Sequence, residues 1–200
     1  MSGWGESPRQ TLPRIVDTAE GIERVVRGDG CGHHSDAGGP DPHIWLSPSL
    51  VKVQAGNICA ALAEMDPEHS ALYRSNLEGF EEELDSLAAG IRASLERSGQ
   101  TRFLVFHPAW GYFADEFGLE MITVERGGRE PSPSELAETV ALARSLGVTV
   151  VFAQPEFSPH APETVAREIG GTVVMVSPLA EDWPGAMRTI AETLLETPGG

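Results

Sequence analysis

The chain has 200 residues, 40% of them hydrophobic, and a formal net charge of −16 at pH 7 with the histidines counted as neutral. This length and apolar content suffice for one large domain or two small lobes with buried cores, and they exclude a chain that is disordered throughout. The negative charge argues against binding to nucleic acid or to an anionic membrane surface, since both would repel it, and it favours a cation as partner.

The cysteines and the first residues narrow the class further. Cys31 lies in a Gly-rich segment and Cys59 in a helical pattern, so a disulfide framework is not indicated. No run of about 18 apolar residues occurs, and we therefore predict no membrane span. Residues 1–14 lack the apolar centre of a secretory signal, so we expect that this chain carries no signal peptide.

The first third of the chain predicts a short strand, a loop and a helix. Residues 14–18 (RIVDT) have the composition of a strand, and residues 28–41 form a loop rich in Gly, Asp and His. Ser47 followed by Pro48 is a helix start, with a capping side chain and a proline at the first helical position. The apolar residues of this helix recur on one face: Val51, Ile58, Leu62 and Met65.

Residues 66–98 predict one long helix. Asp66-Pro67 repeats the start signal, and an apolar pattern at helical spacing then continues to Ser98-Gly99. A helix of about 30 residues spans on the order of 45 Å. Its single apolar stripe, interrupted by Gly79 and Gly90, favours a bridge between two lobes over a coiled coil.

Beyond Gly99, short β-rich runs alternate with helical stretches. The runs are RFLVF, EMITV, VTVVFA and TVVMV, and the helical stretches lie near residues 108–117, 133–146, 161–169 and 183–196. Ser132 and Glu135 have the spacing of a capping box. This alternation indicates a parallel sheet with crossover helices, so the predicted fold class is α/β, with a complete parallel-sheet lobe at residues 100–200.

Open parallel sheets bind ligands beyond the carboxyl ends of their strands. The residues that follow the predicted strands are His107, Glu125, the turn Gln154-Pro155-Glu156, and Ser177. Taken alone, His107 is either a metal ligand or a histidine hydrogen-bonded at a strand–helix junction, and His43 leaves the same two possibilities open. No nucleophile elbow and no Gly-rich phosphate loop occurs, so no catalytic set is predicted.

A series of motifs runs in order through roughly residues 14–196. They are DPHIWLSP, NICAALAEMDPEHSALYRSN, FLVFHPAWGYFADEFGL, GREPSPSEL, VVFAQPEFSP and SPLAEDW. Together they resemble the zinc- and manganese-binding solute receptors of ABC importers, a family that includes proteins described as adhesins. Because several motifs occur in series, the resemblance is more specific than any one of them.

The resemblance implies two α/β lobes joined by one long helix, with a metal ion between them. It implies that His43 and His107 match two histidine ligands, that residues 28–41 match a shortened His-rich loop, and that residues 66–98 match the bridging helix. Residues 1–65 would then be the remnant of an N-terminal lobe. The implied cargo is zinc, with manganese possible, delivered without an enzymatic step to the membrane permease of an ABC importer in the periplasm or extracellular envelope.

Two features depart from the family pattern. Most of the N-terminal lobe, including a first histidine ligand, has no counterpart upstream of RIVDT, and Ser177 stands where the family has an aspartate before Pro-Leu. A closed zinc site takes four ligands, so we expect two imidazoles alone to bind zinc poorly unless other groups complete the site. The candidates are His33, His34, Glu156 and Asp182.

Two other functions stay open. A metal-dependent hydrolase would use His107 as a ligand and Glu156 as a base, although no acid–base pair lies at motif spacing. An adhesion or interaction module with a decayed metal site is the second, and Ser177 favours it.

Overall fold

The structure is a computed structural model that describes residues 15–26, 39–126 and 129–197. Its centre is a parallel sheet with the strand order β2-β1-β3-β4. The strands are β1 (Arg102–Val105), β2 (Glu120–Thr123), β3 (Val150–Ala153) and β4 (Thr172–Met175). The helices are α1 (Pro48–Met65), α2 (Ser70–Ser98), α3 (Gly111–Phe117), α4 (Pro133–Ser145), α5 (His160–Ile169) and α6 (Trp183–Glu196). The predicted α/β class is confirmed, and the strands lie within the runs that the sequence indicated.

Helices cover both faces of the sheet. β3 is buried along its whole length, as expected for a parallel strand between two helical layers. Phe103 and Phe152 belong to the core shared with α2, α3 and α6. Leu104 and Val151 alternate with them and belong to the core shared with α4 and α5. Because the strands are parallel, their carboxyl ends meet at one edge.

The long helix α2 follows a 3-10 turn at Pro67–His69 and ends at Gly99, whose φ of 66° is the left-handed cap conformation. Its buried residues all lie between the middle of the helix and its C-terminal end: Leu84, Leu87, Ile91 and Leu95. In the N-terminal half, Leu72 and Phe80 are exposed. The bridging role of this helix, with lobes at residues 1–65 and 100–200, stays a prediction.

The apolar face predicted for α1 is largely exposed. The helix begins where the sequence indicated, because Ser47 Oγ accepts the N–H of Leu50 at 3.2 Å. Ile58, Leu62 and Met65 are nevertheless 45%, 38% and 61% exposed. Apolar spacing therefore predicted the helix but not its environment. None of the helices in the described ranges combines the length and the apolar character needed to cross a membrane.

The strand predicted at residues 14–18 is wrong. Of these residues, 15–18 are described, and they form no strand; a turn begins at Thr18. Asp17 Oδ1 accepts the N–H of Ala19 at 2.9 Å, and such a local side-chain bond competes with strand pairing. Ile15 is 92% exposed, so this apolar residue packs on no sheet in the described part of the chain.

The capping box predicted for α4 is confirmed. Ser132 Oγ accepts the N–H of Glu135, and Glu135 Oε2 accepts the N–H of Ser132 at 2.7 Å. Arg129 donates two further hydrogen bonds to the same carboxylate, at 3.0 and 2.6 Å. The bonds from Arg129, followed by those from Ser132, hold the pKa of Glu135 well below its ordinary value of 4.5.

We expect Glu135→Gln to lower the free energy of unfolding at neutral pH and to lower it less as the pH falls below 4.5. Because the folded pKa is lowered, the charged carboxylate stabilises the native state above pH 4.5, and this contribution is lost as the pH falls toward the folded pKa. The loss is small, since the ion pair faces solvent. Urea unfolding from neutral pH down to about pH 3 measures it. Glu138→Gln, on the exposed face of α4, is the control. If Glu135→Gln, like the control, shows the wild-type dependence of the free energy of unfolding on pH, the lowered pKa of Glu135 is contradicted.

Candidate metal centre

His43 is oriented by a carboxylate two residues earlier in the chain. Asp41 Oδ1 accepts the backbone N–H of His43 at 3.0 Å and lies 2.7 Å from Nδ1 of its ring. Asp41 is buried, and the Tyr112 hydroxyl donates to its carbonyl at 3.1 Å. This Asx-type turn fixes both the backbone and the ring of His43 before the 3-10 turn Ile44–Leu46 begins.

His107 is oriented in the same way by a residue from the neighbouring strand. The pairing of β1 with β2 continues past the strand ends, where the Glu125 N–H donates to the Phe106 carbonyl at 2.9 Å. Glu125 therefore lies beside His107, and its Oε2 is 2.7 Å from Nδ1 of the ring. The His107 and Glu125 side chains are 27% and 12% exposed, so water competes little for this contact.

The two imidazoles come from separate parts of the chain and lie side by side. Their ring centroids are 5.7 Å apart, with the ring planes at 79°. A zinc ion bound tetrahedrally by two imidazoles at about 2.0 Å would place the centroids roughly 5 Å apart. A carboxylate only accepts hydrogen bonds, so each contact requires a proton on Nδ1, and in the neutral ring the lone pair is then on Nε2. In the described ranges, the side-chain hydrogen bonds of both rings run through Nδ1, so both Nε2 atoms remain available as donors to a metal ion.

Two aromatic side chains flank the histidine pair. The Trp45 ring lies edge-on to His43, with centroids 5.3 Å apart. The Phe157 ring lies against His107, with centroids 5.8 Å apart. Rings in these positions limit the access of water and lower the local dielectric, which strengthens the bond between a nitrogen and a cation.

Gln154 adds a buried polar group at the same edge of the sheet. It directly follows β3, and its Nε2 has no hydrogen-bond partner among the described residues. The register that pairs Val105 with Phe152 places Gln154 next to His107 when it is continued by two residues. Buried amides without a hydrogen-bond partner are uncommon, so this edge of the sheet is suited to binding a polar ligand.

The remaining candidate metal donors have other hydrogen-bond partners or lie outside the described residues. Ser177 donates its hydroxyl to Glu156. Asp182 Oδ1 caps α6 by accepting a backbone N–H at 2.9 Å. His33 and His34 lie outside the described residues. Over the described ranges, no group of three or more His, Cys, Asp or Glu side chains is arranged to hold a metal ion.

The contacts of the Asp41 and Glu125 carboxylates with the two rings are the part of this candidate site that the sequence did not predict. A signal exists for Asp41, because an Asp two residues before a His is the spacing of an Asx-type turn. The signal for Glu125 is weaker. It follows a strand, as His107 does, but only the strand order that places β2 beside β1 makes the two side chains neighbours.

Comparison with known proteins identifies the family. Residues 5–197 match the family model described as ZnuA, zinc-uptake complex component A, periplasmic. The high-affinity zinc uptake system protein ZnuA of Brucella abortus (strain 2308) is 32% identical over 164 residues, which cover 77% of this chain and 49% of the relative. A crystal structure of ZnuA is similar with a TM-score of 0.83 and 37% identity, covering 91% of this chain and 68% of that one. A zinc-bound ZnuA deletion mutant gives a TM-score of 0.81 at 37% identity, covering 92% and 69%.

The chain spans about half the length of the Brucella relatives that it matches. The family match nevertheless extends over nearly all of its own residues, and the matched proteins are zinc-uptake components rather than enzymes. The chain therefore belongs to the ZnuA family of periplasmic zinc-uptake components.

Proposed function

We propose that the chain acts in the zinc receptor of an ABC-type importer and that His43 and His107 are two of the zinc ligands. One observation carries the proposal: two imidazoles from distant parts of the chain lie with their centroids 5.7 Å apart, and each is held by its own carboxylate. Zinc is favoured as the cargo because the matched relatives are zinc-uptake proteins. Manganese is less suited to this pair, since it prefers oxygen donors to imidazole.

Each imidazole would bind the ion through Nε2. A carboxylate on Nδ1 fixes the orientation of the ring and raises the basicity of the ligating nitrogen. Asp41 and Glu125 thus act on the ion through the rings that they hold. A closed zinc site takes four donors, so the histidine pair supplies half of them, and water or further protein groups supply the rest.

The proposed role is to capture zinc in the cell envelope and to deliver it to the membrane permease. The net charge of −16 supports capture, because an acidic protein raises the local concentration of a cation. The two ligands lie in different segments, His43 before α1 and His107 after β1. Small shifts between these elements would change the affinity, and we infer that α2, as a bridge, keeps such shifts small.

We expect His43→Ala and His107→Ala each to abolish zinc binding in isothermal titration calorimetry of the purified chain. The wild-type chain, with two imidazoles, is expected to bind with a Kd of about 1 µM or weaker. Each variant removes one of the two imidazole ligands. The loss of zinc affinity should therefore exceed the weakening of about 10- to 100-fold that follows when a residue hydrogen-bonded to a ligand is changed. His160→Ala is the matched control, because His160 is exposed on α5. Wild-type binding by either ligand variant would contradict the assignment.

We expect Glu125→Gln to weaken zinc binding by about tenfold or more while the protein stays folded. The amide is nearly the same size as the carboxylate, but it neither carries charge nor enforces the Nδ1–H form of His107. Calorimetry measures the affinity, and circular dichroism checks the fold. Glu192→Gln, on the exposed face of α6, provides the matched charge change. Equal affinities in the two variants would show that the Glu125 carboxylate does not tune the site.

A further inference from the structure

The turn that follows β4 is bonded to the segment that carries His43. Trp45 Nε1 donates to the Pro178 carbonyl at 2.9 Å, across 133 residues of chain. The Trp45 carbonyl in turn accepts the Nε1–H of Trp183, the first residue of α6, at 2.8 Å. Trp45 also lies edge-on to the His43 ring. The residue beside His43 is therefore fixed from two directions to the connection between β4 and α6.

The same turn is bonded to the segment beside His107. Ser177 Oγ accepts the N–H of Leu179 at 3.1 Å and donates its own proton to the Glu156 carboxylate. The residue after Glu156 is Phe157, whose ring lies against His107. One turn is thus linked to the surroundings of both imidazoles through different bonds.

We propose that the turn at residues 177–179 is a positioning element that sets the separation of the His43 and His107 imidazoles. The inference rests on the proposed function, since it concerns the same zinc site. The turn supplies no ligand. It acts through Trp45 on one side and through the Glu156–Phe157 segment on the other.

A site with two imidazoles depends strongly on such positioning. A ligand that is already held in place has little freedom left to lose when the ion binds, so preorganisation is converted into affinity. Donors must lie within about 0.5 Å of their productive geometry to act together. The bond to Pro178 contributes to such positioning, because Pro178 is buried and Trp45 is partly buried against the main core.

Two variants cut the two links separately. Ser177→Ala removes the hydroxyl that bonds to Glu156, and Trp45→Phe removes the indole N–H while keeping an aromatic ring beside His43. If Trp45→Phe fails to fold, Trp183→Phe takes its place; it removes the bond that holds Trp45 from α6 rather than from the turn. Ser86→Ala is the matched control, because the Ser86 hydroxyl bonds to a carbonyl within α2 at 2.9 Å.

Four measurements on the full chain separate positioning from a structural role. Calorimetry with Zn²⁺ gives affinity, and the visible absorption of bound Co²⁺ reports coordination geometry. In the metal-free protein, a nuclear Overhauser contact between the ring protons of His43 and His107 reports their approach. Thermal melting accounts for any loss of stability.

We expect Ser177→Ala and Trp45→Phe each to weaken zinc binding about tenfold, to change the Co²⁺ spectrum, and to reduce the contact between the rings. The double variant should lose less than the product of the two single losses, because both bonds act through one turn. Ser86→Ala should behave as wild type.

Unchanged affinity and spectrum in both variants would overturn the inference, and so would a fall in melting temperature with the spectrum unchanged. A wild-type chain that binds neither Zn²⁺ nor Co²⁺ would instead overturn the proposed function. The contact between the rings in the metal-free variants still tests positioning in that case: its loss supports the role of the turn, and its persistence refutes it.

Discussion

The histidine pair depends on how the short segment before α1 is held against the carboxyl edge of the sheet. Ile44 and Leu46 are buried, and Leu46 belongs to the same core as residues of α2 and α6. Burying such a side chain is worth about 1.5–3 kcal/mol, whereas one hydrogen bond contributes roughly 1 kcal/mol net. Packing therefore determines where the segment lies, and the bonds between His43 and Asp41, with the Trp45 ring edge-on beside them, determine which way His43 faces. Without the packing, the separation of the two imidazoles would not be defined.

The parts of this arrangement that the sequence could predict are those encoded by local patterns. The capping box of Ser132 and Glu135, the Ser47 start of α1 and the four β-rich runs each need only a few neighbouring residues to be recognised. His107 could be placed at the functional edge because parallel strands present their carboxyl ends together. The importance of His43 came from the resemblance of its motif, since the residues alone left two readings open.

The parts that the sequence could not predict are contacts between distant segments. Nothing in the local sequence of Trp45 indicates that it bonds to Pro178 or accepts a bond from Trp183. The same limit applies to α1, whose apolar spacing predicted a helix with one apolar face but did not indicate that Ile58 and Met65 on that face are exposed. Periodicity records which residues could be buried together. It does not record which element lies over them, and that depends on the tertiary arrangement.

The charges around the histidine pair give a separate reason to expect a divalent cation. The Asp41 and Glu125 side chains are 6% and 12% exposed, and each contacts an imidazole nitrogen at 2.7 Å. Carboxylates so far from water carry a desolvation cost, and the hydrogen bonds that they accept offset part of it. A doubly charged ion between the two rings would balance the two negative charges, with each imidazole transmitting part of the charge to the carboxylate behind it. In the proposed zinc site, the carboxylates that orient the rings would therefore also favour a cation as the bound ion.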